Sequence, residues 1–202
     1  MNIRSNELVL KEYKQEMSQI KKIIIVKLLA ISLMFFSGCV IEAGRDIAGV
    51  RPVPLEVITA GNISVPVYDF QGLKPMLEQQ NDTVYIMNFW ATWCKPCVKE
   101  MPYFQEADSA FAGLPVRIVL ISLDFAEDVK DILIPFIVEK GIVTEVVLLD
   151  DINANSWIPQ VDPHWEGDIP ATLFIYGKER IFRASSFTYE EIADQVHKLL
   201  NL

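Results

Sequence analysis

The sequence holds little from which a metal centre could be built. Its only histidines are His164 and His197, so a multi-histidine site has no material. Three cysteines, Cys39, Cys94 and Cys97, are too few for a disulfide scaffold, and their placement matters more than their number. Internal repeats and low-complexity tracts are absent. The longest apolar stretch, Ile23 to Phe36, falls short of the ~20 residues that a membrane-spanning helix needs. Positive charge is scarce too: 18 Lys and Arg stand against 27 Asp and Glu. Six of those bases and three of the acids lie in residues 1–38, which leaves 12 basic against 24 acidic side chains in the remainder. Such a surface repels a phosphate backbone, which excludes a nucleic-acid partner. What is present, 202 residues with 51% hydrophobic and 22% charged, suits one packed domain with appendages.

The N-terminal part reads as an address. Lys21 and Lys22 precede the apolar run, which only Lys27 and Ser32 interrupt, and Ser37-Gly38-Cys39 closes it. A basic start, an apolar middle and a small-residue exit make a secretory signal. The exit resembles the lipobox of bacterial lipoproteins, in which the cysteine is lipidated and becomes the new N-terminus; Phe36 stands where that family usually has Leu. The expectation is a lipoprotein-type signal peptide over 1–38, lipidation at Cys39, a linker over 39–54 and a folded domain over 55–202. Counted from Met17 the leader is 22 residues long, a conventional length, so residues 1–16 precede a second candidate start. An uncleaved anchor with an incidental Cys39 is the alternative. Either way the domain is tethered outside the cytoplasm, and a membrane lipoprotein of the cell envelope facing the periplasm is expected.

Beyond the linker, two short alternating runs flank Gly61-Asn62 as a hairpin, and Gly72 to Gln80 suggests a short helix. Thr83 to Phe89 and Arg117 to Ser122 are nearly continuous apolar β-formers, as expected of strands buried on both faces. A helix interrupted by Pro102 is expected over 96–112, and another over 129–140, ended by Gly141. Glu145 to Leu149 reads as a strand, and Asp150 to Asp168 as a long loop. Ala171–Tyr176 and Arg180–Ala184 form a second hairpin. Thr188 to Glu191 is a capping box ahead of the last helix. The order predicts an α/β fold, a mixed central sheet with helices on both faces.

The sharpest signal is NFWATWCKPCVKEMPYF, Asn88 to Phe104. Two cysteines two residues apart sit where a buried strand hands over to a helix. Cys94 then lies at the helix N-terminus, where free backbone N–H groups and the helix dipole favour a thiolate, the attacking species in disulfide exchange. Cys97, one turn further in, can resolve a mixed disulfide held on Cys94. Pro96 suits the first helical turn, and Trp93 offers an aromatic shoulder beside the reactive sulfur.

The segment resembles the thioredoxin fold, and within it the membrane-tethered TlpA/ResA-type thiol-disulfide oxidoreductases with their WCxPCxxExP pattern. Trp93, Cys94, Pro96, Cys97, Glu100 and Pro102 match that pattern position by position. Gly167 to Thr172 is similar to the loop that carries the family's cis-proline. The resemblance implies that Pro170 is that proline and that Ile169 offers its backbone to an incoming chain. Asn88 stands where cytoplasmic thioredoxins have a buried Asp. The resemblance instead gives proton handling to Glu100, three residues after Cys97 on the same helix face, with a pKa raised by partial desolvation. It further implies disulfide-containing substrate proteins, a membrane thiol donor and no cofactor.

Other readings of the same residues are weaker. A zinc site lacks a second cysteine pair, and a peroxidase would use a lone cysteine without a partner two residues on. A copper carrier would recruit His164 to the two thiolates, and a non-catalytic binding module would keep the pair oxidised. Trp157 and Trp165 read as packing beneath the long loop. The acidic Glu127, Asp128 and Asp131 read as a solvated helix start.

Overall fold

A computed structural model describes residues 53–202, so the expected signal peptide, Cys39 and the linker up to Pro52 lie outside the described residues. The alternating runs around Gly61 form an antiparallel hairpin of β1 (Glu56–Ala60) and β2 (Ile63–Tyr68). Asp69 accepts the Gly72 N–H at 2.7 Å and so caps α1 (Phe70–Leu77), which starts ahead of the expected position. Then come β3 (Val84–Trp90), α2 (Lys95–Ala110) and β4 (Val116–Ser122). Pro102 lies inside α2 without interrupting it. A proline removes one backbone bond and strains the preceding turn, whereas Met101, Phe104 and Ala107 hold the helix to the core on the same face.

The expected 129–140 helix is built differently. A 3-10 turn (Ala126–Asp128) leads into a π-helical turn (Val129–Leu133), and only Ile134–Lys140 is α-helical, as α3. Pro135 has no N–H to give to the carbonyl four residues back, and the widened turn lies directly ahead of it. Gly141 ends α3 in the left-handed region at φ +60°. After β5 (Glu145–Leu149), the expected long loop contains a helix, α4 (Ala154–Val161), with Pro159 inside it. The hairpin of β6 (Ala171–Tyr176) and β7 (Glu179–Arg183) and helix α5 (Tyr189–Leu200) complete the chain. The Thr188–Glu191 capping box is present.

The strands form one seven-stranded mixed sheet in the order β1-β2-β5-β4-β3-β6-β7. The inner pairs β2–β5, β5–β4 and β4–β3 are parallel, and β6 runs antiparallel to β3. Side chains alternate across it. Val84 and Ile86 join a core with Met101 and Phe104 of α2, Leu133 and Ile137 near α3, and Ile192 and Val196 of α5. Tyr85, Met87 and Phe89 join the opposite core with Phe70 and Leu73 of α1 and Trp157 of α4. Period-two alternation therefore puts Asn88 on the α2 face of the sheet. Trp157 and Trp165 are buried in the second core, with ring centroids 5.7 Å apart and their indole N–H groups given to the carbonyls of Asp151 and Asp168. Among the described residues no helix is long and apolar enough to cross a membrane.

Candidate active site

Strand β3 ends at Trp90, and four residues later Cys94 caps α2. Its backbone is extended and its Sγ accepts the Cys97 N–H at 3.3 Å. The two cysteines form a disulfide with Cα atoms 5.3 Å apart. Cys97 is fully buried, while Cys94 keeps 6% exposure and lies at the surface end of the pair. Trp93 is 63% exposed beside it, and Lys95 also faces solvent.

The opposite wall is the loop before β6. The Ile169–Pro170 peptide is cis, and Cys94 Sγ lies 3.8 Å from the Ile169 carbonyl oxygen. A disulfide sulfur carries no proton, so this is a contact in the oxidised state. The sulfur given to solvent thus borders a backbone carbonyl at the head of a strand.

Beneath the disulfide lies a buried polar network. Glu100, one turn beyond Cys97, is only 2% exposed, more buried than its place on a surface helix suggested. Asn88 Nδ2 donates to Glu100 Oε1 and to Thr172 Oγ1, each at 3.0 Å. Asn88 and Thr172 are register partners across β3 and β6, so the sheet itself sets the second contact. The Phe187 N–H donates to Glu100 Oε2 at 2.8 Å. Burial pushes the Glu100 pKa up from 4.5 to about 7; the Phe187 N–H, the Asn88 amide, the Arg183 charge and Ser186 each pull it back in part. Arg183 itself stacks on the Phe187 ring and pairs with Glu191.

A second carboxylate at the site went unread in the sequence. Asp124, just past β4, is buried and accepts from the Thr92 N–H, the Thr92 hydroxyl at 2.6 Å and the Ser122 hydroxyl at 2.7 Å. It ties the loop leading into Cys94 to the end of the neighbouring parallel strand. A lone Asp closing the apolar run RIVLISLD was its only signal. His164 is exposed, and among the described residues no group of three His, Cys, Asp or Glu side chains could hold a metal ion.

The AhpC/TSA family profile matches residues 59–180, spanning both walls of this site. The chain belongs to the AhpC/TSA family. Among curated proteins this family member is similar to the thiol-disulfide oxidoreductase ResA of Bacillus cereus, at 37% identity over 82 residues, 37% of this chain and 47% of that protein. It is also similar to the ResA of Oceanobacillus iheyensis, at 50% identity over 46 residues, 23% of this chain and 24% of that protein. The chain spans less than half the length of these relatives. Among solved structures, a secreted thiol-disulfide isomerase from Corynebacterium glutamicum shares the fold with a TM-score of 0.53, 15% identity and coverage of 73% of this chain and 82% of that one. The sequence resemblance to ResA-type proteins and the thioredoxin-like sheet agree with these relatives and this neighbour.

Proposed function

We propose that this protein is an extracytoplasmic thiol-disulfide oxidoreductase that reduces disulfides of partner proteins. The observation that carries the reading is a Cys94–Cys97 disulfide at the N-terminus of α2, its outer sulfur 3.8 Å from the backbone beside a cis-proline. In the reduced state the Cys94 thiolate attacks one sulfur of the partner's disulfide. That bond breaks, the partner's second sulfur leaves as a thiolate and takes up a proton, and a mixed disulfide remains on Cys94. Cys97 then loses its proton to the Glu100 carboxylate and attacks Cys94 Sγ. The partner's bound sulfur leaves Cys94 as a thiolate and takes that proton back from Glu100, so the partner departs as a dithiol, and the Cys94–Cys97 pair is left oxidised by two electrons. An external dithiol donor, held at the membrane, restores it. A carboxyl with a pKa of about 7 is matched to that proton transfer at neutral pH. Trp93 flanks the reacting sulfur, and Ile169-Pro170 presents backbone to the partner as an added strand edge.

Turnover tests this directly. With a dithiol supplied in excess, the protein should reduce a disulfide-bonded test protein, and Cys94→Ser should abolish it. Cys97→Ser should accumulate mixed disulfides through Cys94, whereas Cys94→Ser should trap almost none. Trapping by Cys94→Ser in place of Cys97→Ser would reverse the roles of the two thiols, and equal trapping by both would reject the assignment.

The cellular address rests on the sequence: the Ser37-Gly38-Cys39 exit from a short apolar run supports lipidation at Cys39, and residues 39–54 would link it to the domain 55–202. Mass spectrometry of membrane-extracted protein should find an acylated species beginning at Cys39. An intact leader or an unmodified Cys39 thiol would reject the anchor.

A further inference from the structure

We infer that Phe125 is a specificity-determining residue, forming with Trp93 an aromatic surface for an apolar side chain next to the partner's disulfide cysteine. The inference rests on the oxidoreductase reading and extends it to the kind of segment that is reduced.

Among the described residues, two aromatic side chains are more than half exposed, Trp93 at 63% and Phe125 at 62%. They lie 32 positions apart in sequence, yet each is one residue past an end of the same contact: Thr92 donates its N–H and hydroxyl to the Asp124 carboxylate. The Leu123 N–H is given to the Trp90 carbonyl at 2.8 Å, which joins the two strand ends a second time. The backbone of Phe125 is fixed on its far side as well, since its carbonyl accepts the Asp128 N–H at 3.0 Å. The ring is thus held in water by a backbone tied on both sides, and it contributes nothing to either core cluster.

An exposed ring on a rigid backbone is suited to contact, because it presents much apolar area and loses little freedom on binding. A chain aligned along the Ile169–Pro170 backbone places its disulfide over Cys94, between that loop and the Trp93 side. Residues flanking the partner cysteine then reach the end of β4, where Phe125 stands. Asp124 is the positioning residue of this arrangement: it fixes Trp93 and Phe125 relative to Cys94 and touches no reacting atom. The exchange chemistry is the one already described and needs no further reactant.

Two disulfide-bonded peptides decide the matter, identical except for Leu or Ser beside each cysteine, reduced by the full chain with excess dithiol. The wild type should favour the Leu peptide through a lower KM. Phe125→Ala should erode the ratio of kcat/KM values between the peptides by about tenfold, roughly the worth of partly burying one aromatic ring. The change should lie in KM, and Phe125→Trp should restore the preference. An unchanged ratio, a loss shared equally by both peptides, or a loss in kcat alone would overturn the inference while leaving the oxidoreductase reading standing. Failure of the wild type to reduce either peptide would overturn both.

Discussion

Asn88 Nδ2 lies 3.0 Å from Glu100 Oε1, joining the middle of the sheet to the helix that carries both cysteines. The amide can donate but cannot ionise, so the carboxyl is the group of this pair able to hold a proton. Its other oxygen takes the Phe187 N–H, which closes the site from the α5 side. These two fixed dipoles, with Ser186 and the Arg183 charge, stand in for water around the carboxyl and do not offset its burial.

Glu100→Gln keeps the size of the side chain and one acceptor oxygen, which can serve either the Asn88 amide or the Phe187 N–H, while removing the proton exchange. Disulfide exchange near pH 7 should slow by ~10²-fold, the lower end for general acid–base assistance because thiols transfer protons readily. The pH–rate profile should lose its inflection near 7, with partner affinity little altered. A wild-type profile from pH 5 to 9 would show that water serves Cys97 directly.

The same carboxyl makes stability depend on pH. Its pKa is about 7 when folded against 4.5 for an unperturbed glutamate. Below pH 4.5 both states hold the proton; between 4.5 and 7 the unfolded chain releases it while the folded protein retains it. The stability this proton provides is therefore lost as pH rises through that window, on the order of 3 kcal/mol in all. Denaturant melts of the oxidised wild type and Glu100→Gln should show the variant gaining relative stability from pH 4.5 to 7. Parallel curves would contradict the raised pKa.

Asp124→Ala strands the Thr92 N–H and the hydroxyls of Thr92 and Ser122 around the space it vacates. Leaving such groups unpaired should cost about 2 kcal/mol, read as a lower denaturation midpoint with an unchanged denaturant slope. A loss below about 0.5 kcal/mol would show that water replaces the carboxylate without penalty.

Strands β3 and β4 were legible because two-sided burial writes itself as continuous apolar sequence. The Cys94–Cys97 spacing carried the site for the same local reason. Helix α4 was hidden because Pro159 and the polar Asn153–Ser156 stretch mask a helical pattern that only burial of Trp157 and Val161 reveals. The depth of Glu100 was underestimated because its lid, the Phe187 N–H, arrives from 87 positions away. Asp124 escaped notice because Thr92, its partner on the loop after β3, is 32 positions away and is brought beside it by β3–β4 pairing rather than by sequence spacing.

The reduction potential of the Cys94–Cys97 couple, measured by equilibration against a dithiol–disulfide buffer, tests the central claim most directly. A protein that donates electrons to partner disulfides should have a potential near the thioredoxin end of the range, about −270 mV. A value near −120 mV would contradict the account, since a couple that oxidising would introduce disulfides into its partners instead of removing them.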